Sequence, residues 1–419
     1  MSQMNNTVQV RIDGWIQTLP ANSFSWPKIF QVPHYLRKLN EEAYEPKIIS
    51  IGPYHRQKDH LKAMETQKVR FLKDLLQRRN ENSAQRYVEA MTDMMERARK
   101  CYSESLVISD EEFLEMMVLD GCFTVELIHK IKEGSWQHDP ILNVSQIFTS
   151  IVKDLVLVEN QLPFFVIWEF LGNAFEDRSP FINFIIEMFK EGLPGLRVRL
   201  TYDENSIKKV KHLLDLLRTN WLPSEDSLRE YQNVQEDIKF IRSATELREA
   251  GIKFRMGEGR NLFDIKFENG TLYIPAVNLE DHTEELYCNI IACEQFDDYE
   301  SPTYLTDYTT VMSCLIDTGK DVELLCHKGI MDHWLGTDEA AAKMFNRLGR
   351  EMALDKDNFF YAKLFNDVNR HYYTPWNTRM TNLRHNYFNT PWALISFFAA
   401  TFLLLLTLLQ TTFTIFPRS

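Results

Sequence analysis

Trp392–Leu409 reads WALISFFAATFLLLLTLL, 18 residues without a charge, and the uncharged run continues through Phe416. Nothing else in the chain restricts its folding so severely. At 1.5 Å per residue, a helix of that length covers about 27 Å, close to the roughly 30 Å hydrocarbon layer of a bilayer. Seven leucines, three phenylalanines and Ile395 contribute. At roughly −0.3 to −0.6 kcal/mol each they sum to about −5 kcal/mol in favour of insertion. Ser396, Thr401 and Thr407 can return their hydroxyls to carbonyls of the same helix, so they subtract little. A terminal run that is apolar all round is expected to cross a membrane rather than fill a core. The anchor is therefore expected as a single pass over about 392–416, with Trp392, Phe398, Leu403, Leu406 and Leu409 as anchoring residues.

The flanks set an orientation. Arg379, Arg384 and His385 precede the span and only Arg418 follows it, so the positive-inside bias places the preceding domain in the cytosol. The opening MSQMNNTVQVRIDGWIQTLP has no uninterrupted apolar run, and no cleaved signal peptide is expected. This describes a tail-anchored protein of the plasma membrane or an endomembrane. A formal charge of −12 with no Lys/Arg block argues against a nucleic-acid partner. The six cysteines (Cys101, Cys122, Cys288, Cys293, Cys314, Cys326) form no C-x-x-C pair and no Cys/His zinc spacing. They read as reduced thiols, mostly among apolar neighbours.

The rest of the chain is patterned for helices. Trp26–Arg56 is cut by Pro27, Pro33, Pro46 and Pro53 into short extended pieces and one helical turn. Helical periodicity then predicts helices near Asp59–Arg79, Ala84–Cys101 and Asp110–Ile131, the last with acids at its start and His129, Lys130 and Lys132 at its end. Ile207, Val210, Leu214 and Leu217 mark a further amphipathic helix, followed by a polar, exposed connection near 221–240. Ser243 with Glu246 and Gly251 delimit a compact helix. LFDIKFENGTLYIPAV alternates on both sides of Asn269-Gly270 and predicts a β-hairpin. Helices are again expected after Asp281 or Thr283 and from Thr337 to Gly349. The fold class is mainly α: a large multi-helix globular domain with a small β-hairpin element and one C-terminal transmembrane helix. Residues 1–25 read as a tail, 26–385 as the mostly helical cytosolic domain, and 386–419 as the anchor.

Candidate chemistry is sparse. Glu159, Asn160 and Gln161 form a polar knot between the apolar arms Leu155–Val158 and Leu162–Trp168. A carboxylate so placed could serve as a general acid or base. Chain punctuation accounts for it more simply: Asn160 caps a new helix, Pro163 falls in its first turn, and Glu159 lies near the positive end of the dipole. His34 and His55 could combine with each other or with His60, but no pair has the H-E-x-x-H spacing of a metal site. GEGRN (257–261) precedes a strand, so it lacks the N–H array that cradles phosphate. There is no G-x-S-x-G elbow, Walker A motif or kinase signature. No catalytic residue, cofactor or metal ligand is assigned from the sequence.

Several collinear blocks carry a resemblance. VPHYLRKLNEEAYEPKIISIGPYH, LKAMETQKVRFL, MMVLDGCFTVELI, DLVLVENQLPFFVI, ATELREAGIKF, LYIPAVNLEDHTEELYCNIIACEQ, LIDTGKDVELLCHKGI, LGTDEAAAKMFN and the terminal span follow one another over roughly 29–415. Together they resemble the plant family catalogued as domain of unknown function 247. The resemblance implies a land-plant protein with a C-terminal membrane segment, from a family without an established catalytic mechanism. Some grass members are pollen-side determinants of self-incompatibility, which implies recognition or signalling. The block YYTPWNTRM lacks the fuller Trp-rich stem of many members. The leading expectation is a membrane-anchored interaction or signalling module whose partners are the lipid bilayer and another protein. The alternatives are a membrane-bound enzyme with a pocket around Glu159 or His34/His55, and a scaffold that oligomerises through the span, where Ala399 and Ala400 allow close helix approach.

Overall fold

The computed structural model describes residues 2–18, 27–103, 106–172, 179–190, 193, 208–231, 238–259, 261–298, 301–374 and 391–415. Among them are 17 α-helices and a few short strands. The first group is α1 (Ser2–Thr18), α2 (His34–Arg37), α3 (Ala63–Arg78), α4 (Gln85–Arg99), α5 (Asp110–Lys132), α6 (Ser145–Asp154), α7 (Phe164–Leu171) and α8 (Ser179–Met188). The second is α9 (Leu213–Asn220), α10 (Glu225–Tyr231), α11 (Ala244–Glu249), α12 (Thr283–Gln295), α13 (Tyr304–Leu315), α14 (Gly319–His327), α15 (Asp338–Leu348) and α16 (Ala362–Tyr372), with α17 (Pro391–Ile415) last.

The fold is built on α5. Ser109 Oγ accepts the Glu112 N–H and the Glu112 carboxylate accepts the Ser109 N–H, so both ends of the capping box are made. Acids fill its first turn and His129, Lys130 and Lys132 its last, matching the helix dipole as the sequence predicts. From Met116 to Ile128 every residue but Leu119 is buried. A helix buried on all faces needs neighbours on all faces, and α3, α4 and α7 supply them. Gly121 sets the approach of α7: a Cβ there would fall 2.7 Å from the Phe170 ring. One continuous apolar core then runs from Ile29 through α12–α14 to Val368 in α16.

The predicted hairpin is present. β1 (Lys253–Met256) lies parallel to β3 (Thr271–Ile274), and β2 (Lys266–Glu268) pairs with β3 antiparallel through the Asn269-Gly270 turn, both residues at positive φ. β4 (Val277–Leu279) pairs in parallel with β5 (Met331–His333). Neither parallel pairing was read from the sequence, because strands of 3 or 4 residues are too short to display an alternation.

Two expectations change and one element is added. The opening segment, for which the sequence predicts no element, forms α1 over Ser2–Thr18, with Val10, Trp15 and Ile16 exposed. The helix placed around Ile207–Leu217 begins only at Leu213, leaving Val210 outside it, and Ile207 lies outside the described residues. About a third of the supposed exposed connection is α10, whose Tyr231 is buried edge-on against Phe360. There the aromatic contact outweighs the polar composition around it. Of the stem before Pro391, residues 375–390 lie outside the described residues.

The terminal helix α17 spans 25 residues, and no part of its Ile395–Thr412 window is buried. Phe398 is 65% exposed and Leu403 63%, and Leu406 and Leu409 are exposed as well. Trp392 lies in the first turn of the helix. Thr401 and Thr407 each donate a hydroxyl to the carbonyl one turn back at 2.8 Å, so their polarity is absorbed within the helix. In water such an apolar surface would be left uncovered.

Candidate functional site

The polar knot supplies partners for a buried backbone that is mostly irregular. The prolines of residues 27–56 limit regular structure there to the short α2, one 3-10 turn at Glu41–Tyr44 and a single bridge at Ile29, yet Ile29, Phe30, Ile49 and Ile51 are core residues. Their amides still need acceptors. Asp154, at the end of α6, accepts the N–H groups of Lys47 (2.9 Å), Ile48 (2.7 Å) and Ile49 (2.9 Å). Asn160 Oδ1 accepts from Ile51 N at 2.6 Å, while its amide donates to the carbonyls of Ile49 and Asp154. Gln161 donates to Leu155 and Leu157 and accepts from Leu214 N. Asp120 of α5 takes the Gly52 N–H at 2.8 Å, and Asn289 of α12 bonds Val158 N and the Ala43 carbonyl. Gly52 has φ +76°, and a Cβ there would sit 2.7 Å from the Gln161 carbonyl, so the turn requires glycine.

Asn160 therefore does not cap α7, as the sequence suggested. Pro163 occupies the N-cap and makes no side-chain cap bond. The long-range amides of Ile49–Ile51 took the side chain instead, a demand invisible in local spacing.

Glu159 is 2% exposed. Its carboxylate accepts the Val32 N–H at 2.6 Å, lies 2.5 Å from the Arg37 guanidinium, and faces His55 Nε2 at 3.1 Å. Burial alone would raise this carboxyl. The His55 ring and Arg37 outweigh it and hold the group below its ordinary value. Around the pair, Glu45 binds Arg37 and Lys58. His34 is exposed at the first residue of α2, and no hydrogen bond or ion pair joins it to Glu159 or His55. Neither Glu159 nor His55 lines any of the described cavities. A buried, fully engaged carboxylate held ionised gives a substrate no access and no spare proton, so this arrangement supports a structural role.

Asp154 shows what the backbone service costs. Burial lifts its carboxyl from 3.8 to about 6, although the amides of Lys47, Ile49 and Ile48 pull it down. Between those two values the folded chain holds a proton that the unfolded chain has released, so stability falls as pH rises through that window. The total fall is about 3 kcal/mol. Asp154→Asn removes this titration. Urea unfolding of the detergent-solubilised protein at about pH 4 and about pH 7 should show the variant losing roughly 3 kcal/mol less than wild type over that interval. Parallel profiles would rule out this assignment.

A second feature, not singled out from the sequence, is an open cavity of about 1250 Å³ where α10, the end of α12, the start of α13 and residues 353–360 meet. Its lining is acidic and aromatic, with Glu294, Asp298, Asp307 and Asp357 beside Tyr304 and Phe360. Glu294 accepts the Leu305 and Thr306 N–H groups and the Thr306 hydroxyl, capping α13 from outside that helix. Asp307 accepts the Phe360 N–H at 2.9 Å. Burial pushes both carboxyls up, and the Glu294 charge raises Asp307 further. Asp297, at the rim, is neutralised by Lys211 and Arg218. Asp298 and Asp357 are left exposed. The cavity exceeds the roughly 300–1,000 Å³ of small-molecule pockets, a size that suits a peptide segment. The Asp297-Asp298 and Asp355–Asp357 acid clusters were the available signal, but some 60 residues separate them in the sequence. Among the described residues one group of metal-capable side chains also converges, Cys326, His333 and Asp338.

Comparison with known proteins adds a lineage. The family model described as "Plant protein of unknown function", domain of unknown function 247, matches residues 29–406. UPF0481 protein At3g47200 of Arabidopsis thaliana is 30% identical over 410 residues, covering 92% of this chain and 85% of that protein. Putative UPF0481 protein At3g02645 of the same plant is 26% identical, covering 91% of this chain and 89% of that protein. No solved structure matches the chain.

Proposed function

This chain belongs to the plant family domain of unknown function 247, and on that premise we propose that it is a membrane-anchored module that binds another protein. One observation carries the reading: a 25-residue terminal helix whose apolar window has no cover within the fold. Lipid is the environment that covers such a surface. The excess of arginine before the span orients the helical domain to the cytosol. The acidic, aromatic-lined cavity is the contact surface, and its charge favours a basic segment of the partner.

Proximity labelling from the N-terminus in plant cells, combined with protease protection, tests topology and partner together. The expected result is a protease-accessible domain and a set of labelled neighbours that Asp298→Lys/Asp357→Lys loses without leaving the membrane. A protected domain, or neighbours unchanged by the charge reversal, would overturn the proposal.

A further inference from the structure

We propose that Cys326, His333 and Asp338 form a binding site for one divalent metal ion of the zinc class. They come from three successive elements whose ends meet: Cys326 from the last turn of α14, His333 from the end of β5, and Asp338 from the first position of α15. The β4–β5 pairing anchors His333 by its strand, and the Thr337 cap on Ala340 N–H fixes the start of α15. One donor atom from each residue lies within 4.8 Å of the others. Zinc–sulfur bonds of about 2.3 Å and zinc–nitrogen bonds of about 2.0 Å place tetrahedral donors roughly 3.5 Å apart, so closure needs shifts of about 1 Å.

The local bonding points the same way. His333 Nε2 faces Asp338 Oδ1 at 2.8 Å, while Nδ1 is enclosed and makes no hydrogen bond. The Nε2–Oδ1 contact already holds a ring nitrogen and a carboxylate oxygen together beside the Cys326 thiol. A thiolate, an imidazole and a carboxylate together are the donor set of a borderline-soft divalent ion. Cys326 is a free thiol and partly exposed, so an ion can reach it. On binding, the metal–sulfur bond forms as the thiol proton leaves to solvent. Three protein ligands leave the remaining position to water. The C-x6-H-x4-D spacing matches no familiar zinc motif, which is why the sequence was silent.

The test uses the full chain in detergent, reduced, stripped with a chelator and titrated with Co2+. The expected result is one saturable equivalent with a thiolate-to-cobalt charge-transfer band, displaced by Zn2+. Cys326→Ser should abolish the band and Cys314→Ser should keep it. His333→Ala and Asp338→Asn should each weaken binding by at least about ten-fold. A wild-type protein without a saturable band would overturn the proposal. So would a band that survives in Cys326→Ser with an unchanged circular dichroism spectrum.

Discussion

Asp120→Ala is expected to destabilise the domain by about 3 kcal/mol or more, the largest single loss we anticipate in the helical core. Asp120 and Lys68 are each 1% exposed, and Lys68 Nζ lies 2.5 Å from Asp120 Oδ1. Burial pushes the Asp120 carboxyl up and the Lys68 charge draws it back. Removing the carboxylate strands a buried ammonium with Glu65 and the Ser50 carbonyl. It also leaves the Gly52 N–H without its acceptor. A buried ion pair is commonly replaced by apolar residues at little net loss. Here both partners also serve the coil backbone, so Lys68→Met/Asp120→Leu should still be destabilised by roughly 2 kcal/mol, the order of two orphaned backbone groups. Chemical denaturation of the three proteins measures this. A double variant as stable as wild type would show that the pair is not a backbone partner.

The second large effect is in the apolar terminal helix α17, which is long enough to cross a bilayer. Arginine near a helix centre costs about 2.5–3.5 kcal/mol, and the leucine it replaces gives up a further 0.3–0.6 or so. Leu403 and Leu406 lie near the middle of α17. One substitution, Leu403→Arg, removes about 3–4 kcal/mol of a preference near 5, so insertion should weaken but persist. Leu403→Arg/Leu406→Arg removes about 6–8 kcal/mol and reverses the sign. The single variant should stay mostly membrane-bound and the double variant should be released. Equal behaviour of the two would mean that insertion energy does not determine location.

The helices and the hairpin were legible because each is written locally. Ser243 with Glu246, Thr337 before Asp338, and Asn269-Gly270 announce themselves within a few residues. The knot was legible only as an anomaly. That Asp154 serves Lys47–Ile49, or Asn289 serves Val158 and Ala43, depends on contacts spanning more than 100 residues that no local pattern records. The same holds for the acidic cavity and the Cys326–His333–Asp338 group, which the tertiary fold assembles from several elements. Composition misled at α10, where Ser227 and Tyr231 are buried while Glu225, Asp226 and Arg229 face out.

Alkaline extraction of plant membranes carrying either the full chain or a chain ending at residue 390 tests the central claim most directly. The full chain should remain in the pellet, and the shortened chain should move to the supernatant with its helical circular dichroism retained. A shortened chain that still resists extraction, or a full chain that is released, would contradict anchoring by Pro391–Ile415.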